Sequence, residues 1–163
     1  VIRRLSRILA RILRALYGIH QPSTEEHFAL AARFSEDLDD WRNNMAYLLD
    51  TDGNSAIFVR LVLRQRDVLR LAFCHAQILV HRPFLLKTFG SLVSSGSTSE
   101  SLSTRRQELQ KNIKICIDAA MQIIEHIDRI DAAGEFYSTL FVRVSRSSHI
   151  YHKKRILIIM LSF

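Results

Sequence analysis

Residues 57–86, IFVRLVLRQRDVLRLAFCHAQILVHRPFLL, constrain the fold more than any other part of the chain. From Val68 to Val80 the apolar residues Val68, Leu69, Leu71, Ala72, Phe73, Ala76, Ile78, Leu79 and Val80 fall on every side of a helical wheel. A helix that is apolar all round belongs inside a protein core or a membrane. Arg70, His75 and Gln77 interrupt the run, and a span needs about 18 or more apolar residues in succession. The stretch therefore reads as a central helix enclosed by others, with no transmembrane segment. His81-Arg82-Pro83 is expected to end it, because proline lacks an N–H and biases the residue before it away from helical geometry.

The surrounding segments supply partners for such a helix. In residues 1–17, Ile2, Leu5, Leu9, Ile12, Leu13 and Leu16 share one helical face and Arg3, Arg4, Arg7, Arg11 and Arg14 the other, with Gly18 as a stop. Ser23-Thr24-Glu25-Glu26 has the form of a capping box. The helix it opens carries Phe34, Leu38, Trp41, Met45 and Leu48 at intervals of four and three, with Glu36, Asp37, Asp39 and Asp40 left to solvent. Asp50 to Asn54 is a turn by composition, and Gly90 to Ser103 a serine-rich surface loop. Thr104-Arg105-Arg106-Gln107 repeats the cap pattern ahead of a helix whose stripe is Leu109, Ile113, Ile117, Ala120, Ile124 and Ile127, ending near Gly134. The regularity of that stripe indicates antiparallel helix packing. The expected fold is all-α, about four to five long helices around the buried central one, over residues 1–141. Residues 142–163 turn basic and then abruptly aliphatic, and form a tail outside this design. The chain opens on Val1 and loses its helical pattern after about Leu140, so it reads as a truncated piece of a longer protein.

The net charge of +7 sits at the ends: residues 1–20 hold five arginines and no acid, and residues 136–163 five Lys/Arg and no acid. The middle is slightly acidic, which weakens the case for nucleic acid or anionic lipid that a pI near 9.9 would otherwise make. An acid-free amphipathic N-terminus nevertheless keeps a second reading open: a basic helical module binding a membrane surface or nucleic acid non-specifically. Cys74 and Cys116 lie in apolar helical surroundings and read as buried free thiols in a reducing compartment.

Chemistry-bearing motifs are sparse. The sequence has no glycine-rich phosphate loop, nucleophile elbow or His-Glu-x-x-His helix. His75 and His81 fall on different sides of a helix, and Cys74 and His75, being adjacent, point apart. His149 and His152 are neighboured by Lys153 and Lys154, which oppose a cation. The acidic cluster around Asp39 lacks the glycine-centred loop of a calcium hand. No residue is singled out as catalytic, cofactor-binding or metal-ligating, and no enzyme activity is expected.

Residues 69–86, LRLAFCHAQILVHRPFLL, closely resemble the signature helix of the regulatory (middle homology) domain of fungal zinc-cluster transcription factors. His81-Arg82-Pro83-Phe84 is the strongest element. Residues 5–18 look like the family's preceding helix, Leu38-Asp39-Asp40-Trp41-Arg42 like its leucine-to-tryptophan helix, and Cys116-Ile117-Asp118-Ala119-Ala120 like a later helix where small residues meet the core. Ala46 stands where the family tends to have proline. The resemblance covers roughly residues 1–137. It implies a nuclear regulatory domain acting on transcription through an attached DNA-binding module, with co-regulators, a small-molecule effector or a second copy of the full-length protein as partners. Zinc would belong to that separate upstream module, which needs six cysteines where this chain has two. No sequence-specific DNA contact is implied for this chain.

Overall fold

The computed structural model describes residues 2–20, 22–50, 58–91 and 101–132. Among these the fold is all-α: α1 (Ile2–Leu16), α2 (Thr24–Asp50), α3 (Phe58–Ser91) and α4 (Ser101–Ala132). α3 is the hub. It packs most extensively on α4 and also against α2 and α1, while α1 rests on α2 as well. Contacts fix the directions. Asp67, Cys74 and His81 of α3 meet His126, Gln122 and Asn112 of α4, in reverse order along the chain. Phe73, His81 and Phe84 meet Trp41, Ser35 and Phe28 of α2, again in reverse. Both neighbours thus run antiparallel to the central helix.

The core is a single cluster drawn from all four helices. Leu5, Ile8, Ile12 and Leu16 come from α1, and Ala31, Phe34, Leu38 and Trp41 from α2. Leu69, Phe73, Cys74, Ala76, Ile78, Leu79, Val80 and Phe84 come from α3, and Cys116, Ala119 and Ile123 from α4. The α2 stripe is as expected through Trp41, which stacks on Phe73 with ring centroids 5.9 Å apart. The capping box is also present: Glu26 N–H donates to Ser23 Oγ (3.3 Å) and Ser23 N–H to Glu26 Oε2 (2.8 Å). Gly18 follows α1 because any Cβ there would stand 2.6 Å from the Arg14 carbonyl oxygen.

Several expectations need correction. Pro83 does not end the central helix; α3 continues to Ser91 with the proline inside it. Nor is α3 enclosed on every side, since Val68 is 42% exposed and His75 also faces solvent. Gln65 and Leu86 of the same helix are exposed as well. On α1 the buried line is Leu5, Ile8, Ile12 and Leu16, with Leu13 exposed, so the helix is rotated from the expected face. α4 starts at Ser101, ahead of the Thr104 cap, and Gly90 belongs to α3, so both ends of the expected serine-rich loop are helical, while residues 92–100 lie outside the described residues. The buried line of α4 is Cys116, Ala119, Ile123 and His126, with Ile117 exposed. Small residues on that line let α4 approach α3 closely, and this outweighs the larger aliphatics one position away. The expected turn at 51–54, residues 133–141 and the tail at 142–163 lie outside the described residues.

Candidate functional site

The His81-Arg82-Pro83-Phe84 segment of α3 lies where α2 and α4 converge on that helix, with Tyr17, just past α1, bonding two residues upstream of it. Its physical problem is Pro83. In an α-helix the carbonyl of residue 79 accepts from the N–H of residue 83, and proline has none. The Leu79 carbonyl is instead satisfied from the residue just past α1: the Tyr17 hydroxyl donates to it at 2.9 Å, across 62 residues of sequence. Gly18 turns the chain just after Tyr17, and Tyr17 N–H still bonds back to the Leu13 carbonyl (3.0 Å). The ring of Tyr17 is 38% exposed while its hydroxyl turns inward. Burial raises its pKa above 10.0, and the nearby Arg82 charge opposes that rise. The phenol is therefore protonated at neutral pH and able to donate.

His81 is only 2% exposed and is held through Nδ1. Nδ1 donates to Asn112 Oδ1 of α4 at 2.8 Å, and the Asn112 amide is oriented by its own donation to the Glu108 carbonyl (2.7 Å). Nε2, the unprotonated nitrogen, lies 3.3 Å from Ser35 Oγ of α2, whose single proton is directed mainly to the Ala31 carbonyl (2.7 Å), so this is a close polar contact and not a second full hydrogen bond. The imidazole thus bonds α4 and sits in contact with α2. Burial, the largest influence, depresses the His81 pKa below 6.5, with the Asn112 bond pulling the other way. Arg82 is buried as well, and its charge reaches both Tyr17 and Cys116. Phe84 is 1% exposed and packs on Phe28 (4.8 Å) and edge-on to His27 (6.4 Å). Phe28 in turn lies under the Arg105 guanidinium (5.5 Å), and Arg105 pairs with Glu25, so the start of α4 is tied to the start of α2.

The other residues considered from the sequence are dispersed. Cys74 and Cys116 are free, buried thiols. Desolvation raises both, Cys116 to about 11, so neither is a thiolate at neutral pH. Cys74 donates to Gln122 Oε1 (3.7 Å) while His75 faces solvent, so the two do not form a dyad. In the acidic cluster Asp37 is not simply solvated; it pairs with Arg11 at 2.7 Å. His149 and His152 lie outside the described residues. On α1, Arg3, Arg4, Arg7 and Arg14 are exposed, but Arg11 is spent on Asp37 and on the Phe34 ring (5.7 Å). Among the described residues no group of three or more His, Cys, Asp or Glu could hold a metal, and no helix is long and apolar enough to cross a membrane.

Tyr17, Ser35 and Asn112 were not singled out by the sequence. The signal for a donor was present, since a proline within a helical pattern orphans one carbonyl. Which of many hydroxyls fills the need depends on tertiary approach. Comparison with protein-family models, curated proteins and solved structures found no match.

Proposed function

We propose that the chain is a regulatory domain of a nuclear transcription factor, modulating the output of an attached zinc-cluster DNA-binding module. The reading rests on the sequence resemblance centred on His81-Arg82-Pro83-Phe84. One structural observation supports it: this segment contacts α2 through Ser35 and Phe28 and bonds α4 through Asn112, while Tyr17, just past α1, bonds the Leu79 carbonyl two residues before it. A junction of that kind suits a domain that must convert a local event into a change of the whole bundle, because packed helices shift between discrete arrangements rather than deforming smoothly. Co-regulators, or an effector acting on the bundle, are the partners this role calls for.

The test is a reporter assay with the chain in its full-length protein. Leu79→Asp places an unpaired charge in the core; it should change reporter output while DNA binding by the upstream module persists. Arg7→Ala, on the exposed face of α1, should be close to silent. The opposite ranking would refute the regulatory reading. It would favour a basic module for nucleic acid or anionic membrane, which the exposed arginines Arg3, Arg4, Arg7 and Arg14 of α1 support. Binding through that face would collapse as salt rises to physiological levels, by loss of counterion release.

A further inference from the structure

A cleft of about 290 Å³ opens where α2, α3 and α4 diverge, away from the His81 junction, and it is close to the lower end of small-ligand pockets, about 300 Å³. α2 contributes Arg42, α3 contributes Arg70, Leu71, Phe73 and Cys74, and α4 contributes Gln122, Glu125, His126 and Arg129. Its chemistry is two-sided. Phe73 and Cys74 are buried and, with Leu71, make an apolar floor. Around them stand three guanidinium groups against one carboxylate. Arg42 lies over the Phe73 ring, 5.8 Å from its centroid. Arg129 donates to His126 Nδ1 (3.0 Å), which makes that nitrogen an acceptor and leaves the ring's proton on Nε2, 3.0 Å from Asp67 Oδ1. Desolvation, the largest influence on His126, lowers its pKa, in keeping with this neutral form.

We propose that this cleft binds a small organic carboxylate with an apolar body. Planar guanidinium groups match a carboxylate in two parallel hydrogen bonds, and the Leu71–Phe73 floor accepts a ring or branched alkyl group. Glu125 on the same wall disfavours multiply charged phosphates, so a monoanion fits best. The site needs no rearrangement of the core, since Arg42 and Arg129 are exposed and only their tips have to turn.

Trp41 supplies a built-in reporter, being the one tryptophan in the sequence and stacked on Phe73. The 163-residue chain is titrated with 4-tert-butylbenzoate, and in parallel with the neutral 4-tert-butylbenzamide, following Trp41 emission and heat release. The carboxylate should saturate one site and bind about tenfold or more tighter than the amide, as loss of a charge-assisted hydrogen bond implies. Arg42→Gln and Arg129→Gln should each weaken binding severalfold while the helical circular dichroism stays that of the parent, and Arg129→Lys should recover part of the binding. An Arg4→Gln/Arg7→Gln double variant on α1 should bind like the parent. Equal binding of benzoate and benzamide, absence of saturation into the millimolar range, or loss of binding in the α1 variant alone would overturn the assignment. Binding is read on the isolated chain, so the outcome is independent of any role in transcription.

Discussion

Tyr17 and Pro83 are the residues whose chemistry is least local. The proline removes the donor for the Leu79 carbonyl, and a phenol from just beyond α1 replaces it. An interior proline costs a helix about 3 kcal/mol, so the replacement bond offsets part of a real penalty. Tyr17→Phe should destabilise the chain by about 1–2 kcal/mol, because it leaves a partly buried carbonyl without a donor. In a Pro83→Ala background the backbone N–H returns, and Tyr17→Phe should then cost markedly less. Urea unfolding of the four proteins of this cycle measures the coupling directly. His81 gives a pH dependence with a definite sign. Its folded pKa lies below 6.5, so the unfolded chain binds the extra proton and stability declines as pH falls through about 6.5 toward the folded value. His75 and His126 shift in the same direction and add to the trend. Stability should thus be higher at about pH 7.5 than at about pH 5.5, and His81→Gln should flatten part of that slope. An unchanged slope would show that the buried imidazole does not carry it. None of these partners was legible in the sequence, where Pro83 reads as a terminator; propensity alone does not reveal a donor delivered from 62 residues away.

At the scale of elements, sequence pattern and structure agree best where a cap is specified locally. Ser23 and Glu26 satisfy each other's backbone amides as their spacing requires. Ser23→Ala should cost about 1 kcal/mol, and Gly18→Ala more than about 1 kcal/mol, since a Cβ there meets the Arg14 carbonyl. Thermal melts of the two variants should rank them in that order. The existence and type of all four helices were readable from apolar periodicity, and so was the antiparallel packing of α4. The faces were less so. On α1 and α4 the exposed Leu13 and Ile117 sit beside the true buried lines, because a wide apolar stripe leaves a rotation of tens of degrees undecided. On α4 the deciding factor is the small side chains of Cys116 and Ala119, whose value lies in how near they let α3 come. The cleft between α2, α3 and α4 was not legible either; Arg42, Arg70 and Arg129 are far apart in sequence and read individually as solvated charges.

For the whole molecule α3 is the member on which the others depend: each of the other described helices packs on it, and the core cluster runs through it. Leu79 is 7% exposed near the middle of that helix. Leu79→Ala should cost about 2–5 kcal/mol through lost transfer energy and a residual cavity, against about 5–15 kcal/mol for a typical domain. Arg7→Ala should stay within about 0.5 kcal/mol. Native-state hydrogen exchange on the 163-residue chain tests the dependence most directly. The slowest amides should lie in α3 between Phe73 and Arg82 and exchange only through global unfolding. Leu79→Ala should then lower protection in α1, α2, α3 and α4 by one common free energy. Slower exchange in α1 or α4 than in that stretch, or a Leu79→Ala effect confined to α3, would contradict the central role of the helix.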